Sequence, residues 1–146
     1  MASNAYAATK ALIDLLTTAL SPVQCTFGWP GRNVQRECVY SGKVAGPHTD
    51  LAFRAGGRRP RLEDLTLDLH VQVHTPGATT ADVAARALVI GAIVENTIAD
   101  NITLGGTVPG LLAATVVGFE QDSGAMDDDA AMSLITYQVA LKSQLT

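Results

Sequence analysis

The stretch LEDLTLDLHVQVH, residues 62–74, decides the fold. Leu65, Leu67, Leu69, Val71 and Val73 fall on every second position, and Thr66, Asp68, His70, Gln72 and His74 fill the positions between them. Alternation of this kind puts one set on each face of a β-strand, so the strand buries one face and leaves the other polar. Pro76-Gly77 closes it. Extended, the thirteen residues reach roughly 43 Å.

Downstream, Thr79 or Thr80 can cap a helix over 81–99, with Asp82 in the first turn, where the helix dipole favours an acid. Val83, Ala87, Ile90, Val94 and Ile98 make its buried stripe, whereas Val89 and Ile93 stand among polar residues and mark a second contact surface. Such a helix spans about 28 Å, so the strand is expected to overhang the helix layer by roughly 15 Å. A loop over 101–110, a strand over 112–121, an acidic turn over 122–129 and a strand over 132–142 follow. Ile135, Tyr137, Val139 and Leu141 share one face of the last strand.

Upstream, Ser3 can cap a helix from Asn4 to Leu20, with Ala5, Ala8, Leu12, Leu15 and Ala19 at helical spacing. Ser21-Pro22 ends it, because proline pushes the preceding residue out of the helical region. Short strands are expected over 23–27 and 37–44, with a Gly28-Trp29-Pro30-Gly31 turn between them. The segment 42–61 is a long loop carrying Arg54, Arg58, Arg59 and Arg61. The order helix, strand, strand, loop, strand, helix, strand, strand predicts an α+β fold. Its expected form is a mixed or antiparallel sheet of about four to five strands, two helices packed on one face, and a long projecting hairpin loop. One domain spans 1–146.

Composition excludes several classes. Apolar residues make up 47% of the chain and charged residues 16%, which is too apolar for a disordered chain. The most apolar stretch, 81–98, contains Asp82, Arg86 and Glu95, which argues against a membrane span. Lys10 and Asp14 interrupt residues 2–19, so no secretory signal is expected there. Cys25 and Cys38 are too few for a disulfide framework and lack metal-ligand spacing.

Charge is unevenly spread. Residues 1–61 hold eight bases and three acids, net +5; residues 62–146 hold two bases and eleven acids, net −9; together these give the overall −4. Arginine pairs bidentately with carboxylate or phosphate, so Arg54, Arg58, Arg59 and Arg61 are the foremost interface residues, with Val89 and Ile93 beside them. Asp127, Asp128 and Asp129 form an acidic patch without the alternating acids and glycine of a calcium loop.

No catalytic constellation emerges. Leu104-Gly105-Gly106-Thr107 lacks the lysine of a phosphate-binding loop. His70 and His74 share a strand face but lie about 13 Å apart, too far for one metal ion. His48 has no obvious partner, and Trp29 beside its turn reads as a lid on the core. Neither an enzyme nor a bound cofactor or metal is expected.

Several features together resemble one family. Arg58-Arg59-Pro60-Arg61-Leu62-Glu63 runs straight into the alternating strand; the helix over 81–99 and the turn Ile102-Thr103-Leu104-Gly105-Gly106-Thr107-Val108 follow, then two strands around an acidic loop. This order, with the chain length, resembles the tail terminator (tail completion) proteins of long-tailed, non-contractile bacteriophages. The resemblance implies a virion structural protein at the head-tail junction, assembled in the bacterial cytoplasm. It would form a hexameric ring that caps the tail-tube protein, ends tube polymerisation and offers a docking surface to the head-tail connector protein. Genomic DNA would pass through the lumen without specific binding, helped by an acidic lining for which Asp127 to Asp129 are candidates.

Rival readings are a head-to-tail connector or tail-tube subunit of the same virion, a small enzyme, and a nucleic-acid-binding module using the arginine loop. The overall acidity and the absence of aromatics beyond Phe53 among those arginines argue against the last.

Overall fold

The computed structural model describes residues 2–50, 60–126 and 129–145. In chain order the elements are α1 (Ala5–Leu20), β1 (Gln24–Thr26), β2 (Glu37–Ala45), β3 (His48–Asp50), β4 (Arg61–Pro76), α2 (Thr80–Asp100), β5 (Leu111–Ala125) and β6 (Ala130–Leu145), with short 3₁₀ turns at Gly31–Asn33 and Leu104–Gly106. The fold is α+β. One mixed, six-stranded sheet runs β1-β2-β4-β6-β5, with β3 pairing onto β4. Among the described residues only the β1–β2 pair is parallel.

The alternating strand behaves as its pattern demands. Leu65, Leu67, Leu69, Val71 and Val73 are buried, as are Ile135, Tyr137, Val139 and Leu141 beside them on β6. β4 and β6 pair along their whole lengths, from Arg61 opposite Leu145 to Pro76 opposite Ala130. One sheet face lies under the helices: α2 crosses β4, β6 and β5, and α1 lies against β1 and β2. Thr79 caps α2 by accepting the Asp82 N–H, and Val83, Ala87, Ile90, Val94 and Ile98 point inward as expected. Among the described residues no helix is long and apolar enough to cross a membrane.

Four expectations need correction. First, α1 buries Ala8, Thr9, Leu12, Ile13, Leu16 and Leu20, while Ala19 is exposed and Leu15 only half-buried. The helix turns its larger side chains inward because they remove more apolar area from water than alanines do. Second, the sheet has one strand more than expected. β3 takes over as partner of β4 at Arg61–Glu63, beyond the last β2 contact at Thr66, past a bulge between Ser41 and Val44. Third, β4 is not a bare overhanging arm. Its inward residues are buried from Glu63 to Val73, because the turn bearing Leu104 and the N-terminus of α1 extend the cover past α2. Of the expected loop over 42–61, residues 42–45 belong to β2 and His48–Asp50 form β3, because their backbone pairs with the long strand, and Arg61 opens β4; residues 51–59 lie outside the described residues. Fourth, β5 runs on to Ala125, so Asp122 belongs to a strand and not to a turn. The Leu104–Gly106 turn places three successive residues at positive φ, a conformation glycine adopts without cost and which accounts for Gly105 and Gly106.

Candidate assembly surfaces

The sheet places Arg61 and Asp129 at opposite ends. Arg61 opens β4, opposite Asp50 on β3, with Nη1 3.5 Å from His48 Nδ1. Asp129 ends the β5–β6 turn at φ 56°, its carbonyl accepting the Gly77 N–H at 3.0 Å. Sixteen paired residues separate these ends, or about 50 Å. Arg54, Arg58, Arg59, Asp127 and Asp128 lie outside the described residues. Val89 and Ile93 are exposed, 52% and 39%, on the flank of α2 that carries Arg86. The Arg86 guanidinium reaches across to the Glu37 carboxylate, whose acidity it increases through the hydrogen bond and its charge.

Glu63 is the polar centre that sequence reasoning missed. It stands in phase with Leu65 and Leu67 on the inward face and is fully buried. Its Oε1 accepts the Asn4 N–H at 2.9 Å, and its Oε2 lies 2.6 Å from His48 Nε2. His48 therefore does have a partner. Burial pushes the Glu63 carboxyl up, but hydrogen bonds from Ser3, Asn4 and His48, together with the His48 charge, outweigh that and hold it below the ordinary carboxylate range. Asn4 in turn donates from Nδ2 to the Pro109 carbonyl at 2.8 Å. One carboxylate thus ties the start of α1, β3, β4 and the approach to β5. An acid in register with a buried apolar row was the available signal.

The other sheet face is polar, and among the described residues no helix packs over it. Trp29 is no lid on the core: it is 55% exposed and stands edge-on to Tyr40, ring centroids 5.0 Å apart. Tyr40 lies tilted against His70, ring centroids 4.9 Å apart, and His70 Nδ1 lies 3.0 Å from Thr136 Oγ1. His70 is accordingly half-buried, and its pKa is lowered by that burial, against the opposing charge of Asp68. Asp64, Asp68, Glu120 and Asp122 also sit on this face, with Lys142 opposite Asp64. Among the described residues no group of histidines, cysteines and acids is placed to hold a metal ion. Burial pushes both thiols, Cys25 and Cys38, up to about 11, so each stays protonated at neutral pH and packs as a small apolar group.

Both lateral edges of the sheet expose large apolar side chains. Along β5 these are Leu112, Val117 and Phe119, with Leu88 and Ile102 on the neighbouring helix and turn. A groove of about 310 Å³ runs there between Glu95, Ile98, Ala99 and Ile102 on one side and Ala114 and Val116 on the other. At the far edge Phe27 and Trp29 are exposed, with Val34 close by in sequence and Tyr6 5.5 Å from the Phe27 ring.

No family model and no curated protein matches the chain. Among solved structures it is similar to a chain described as "Virion of native gene transfer agent (GTA) particle", at 12% sequence identity and a TM-score of 0.46, over 97% of this chain and 100% of that one.

Proposed function

We propose that this chain is a structural protein of a phage-like virion, a tail terminator whose copies form a ring on the tail tube and present a surface to the head. The observation that carries the reading is the sheet face opposite the helices. On β4, β5 and β6 it bears Asp64, Asp68, Glu120 and Asp122 against Lys142. A face of that sign repels phosphate, so it suits the wall of a passage through which DNA slides without sticking. The open sheet joins Asp127, Asp128 and Asp129 as a candidate lining. The separation of Arg61 from Asp129 along the strands supplies the two unlike ends that a cap needs, one for the tube and one for the connector. The role is structural, without catalysis or cofactor.

Electron microscopy of lysates from a phage lacking this gene tests the reading. Overlong, headless tubes beside DNA-filled heads are expected. Finished tails of normal length that fail to attach would make the protein a connector, and a complete absence of tubes would make it a tube subunit. Arg58→Glu with Arg59→Glu is expected to abolish capping in a folded chain; unchanged capping would remove that segment from the tube contact.

A further inference from the structure

We propose that neighbouring copies of this chain join head to tail through the two lateral edges of the sheet, the β5 edge of one copy against the β1 edge of the next. The inference rests on the ring-forming reading and names the surfaces that build the ring.

Charge is the first argument. The β5 edge carries Glu120 and Asp122 on the strand and Glu95 on the adjacent helix, all exposed. The β1 side carries Arg32, Arg36 and Lys43, also exposed. None of these six forms an ion pair within the chain among the described residues. Opposite charges left unpaired on opposite edges attract between copies and oppose contacts between like edges; Glu120 and Asp122 then stand at the junctions, and Asp64 and Asp68 on the inner strand β4 keep the open face acidic between them.

Apolar surface is the second. Val117 and Phe119 on one edge are 60% and 59% exposed, and Phe27 and Trp29 on the other are 54% and 55% exposed. Two such patches on unlike surfaces make a heterologous contact, the type that generates rings.

Register is the third. Thr26 pairs with Tyr40, Tyr40 with His70, His70 with Thr136, and Thr136 with Glu120. The β1 edge therefore stands level with Glu120 across the sheet, and the next residues along, Phe27 and Phe119, stand level with each other. Edges joined with these rows in line bring Phe27 of one copy to Phe119 of the next without an offset along the strands. A contact without offset along the strands is what a closed ring requires in addition to a rotation that closes, whereas a stepped contact winds an open helix. The two bulges in β5, at Leu111–Ala113 and Val116–Gly118, interrupt the long edge and discourage indiscriminate strand pairing there.

Sedimentation velocity on the full chain tests this with two double variants, Glu120→Lys/Asp122→Lys and Arg32→Glu/Arg36→Glu. All four positions are exposed, so both variants are expected to keep the wild-type circular dichroism spectrum and Tm. The wild type is expected to self-associate, more weakly as salt rises. Each variant alone is expected to associate at least tenfold more weakly, and an equimolar mixture to recover wild-type association, because every junction then again joins unlike charges. A wild-type chain that stays monomeric to about 1 mM, a reversal without effect, or a mixture that fails to recover overturns the proposal. Overlong tubes on gene deletion together with any of those results would retain the terminator reading and remove the edges. Edge-dependent association with normal tails on deletion would do the reverse.

Discussion

Replacing Glu63 with alanine tests the buried carboxylate as the knot of the structure. The change removes the acceptor for the Asn4 N–H at 2.9 Å and the partner of His48 at 2.6 Å. The first bond is buried and ends on a charged group, and its loss strands a backbone donor, costing about 2–3 kcal/mol. His48 is 36% exposed, so water can replace its bond and the added cost is below about 1 kcal/mol. The sum is about 3 kcal/mol, which for a chain of this size lowers Tm by about 9 °C. Glu63→Gln keeps a neutral acceptor for Asn4 and is expected to lose about half as much. The carboxyl titrates lower in the folded chain than in the unfolded one. Its stabilisation is therefore present above the unfolded value, about 4.3, and disappears as pH falls through the lower folded value. Thermal melts of the three proteins between pH 7 and pH 3 supply the assay. A Glu63→Ala chain melting within about 1 °C of wild type, or a wild-type advantage over Glu63→Gln that does not shrink in acid, would refute the reasoning.

Gly91 on α2 faces the Tyr137 hydroxyl so closely that a Cβ would collide with it. Gly91→Ala is expected to lose about 1–2 kcal/mol in a urea melt despite alanine's better helix propensity, and Tyr137→Phe in the same chain to restore part of it; a more stable Gly91→Ala would contradict the packing. Thr79→Ala removes the acceptor of the Asp82 N–H and is expected to cost about 1 kcal/mol in the same assay, with an unchanged midpoint counting against the cap. Arg86→Ala breaks a partly exposed bidentate pair with Glu37 and is expected to cost less than about 1 kcal/mol, a loss that shrinks in high salt; a larger, salt-independent loss would show that the pair is sequestered from solvent.

Periodicity made the long elements legible. β4, β6 and α2 each repeat an apolar residue at the period of their element, and every residue that this period turns inward is buried, while Glu63, Gly91, Ser133 and Ser143 join the buried faces without an apolar signal. α1 was legible as a helix but not in its facing, because small and large apolar residues surround it and only the neighbours decide which side is buried. β3 has three residues, too few for any period, and exists because β4 has an unmet row of hydrogen bonds there. His48 and Glu63 are fifteen residues apart, and nothing local announces that they meet.

By itself, the sequence determined the class of fold, the inward faces of the central strands and the uneven charge, since these follow from residue spacing and count. Only the tertiary structure decided which strands neighbour one another, and with them the acidic open face, the buried Glu63 and the level of Phe27 with Phe119. Those are relations between residues far apart in the chain. They come into being when hydrogen-bonded pairing sets a register between strands, and local propensity carries no record of that register.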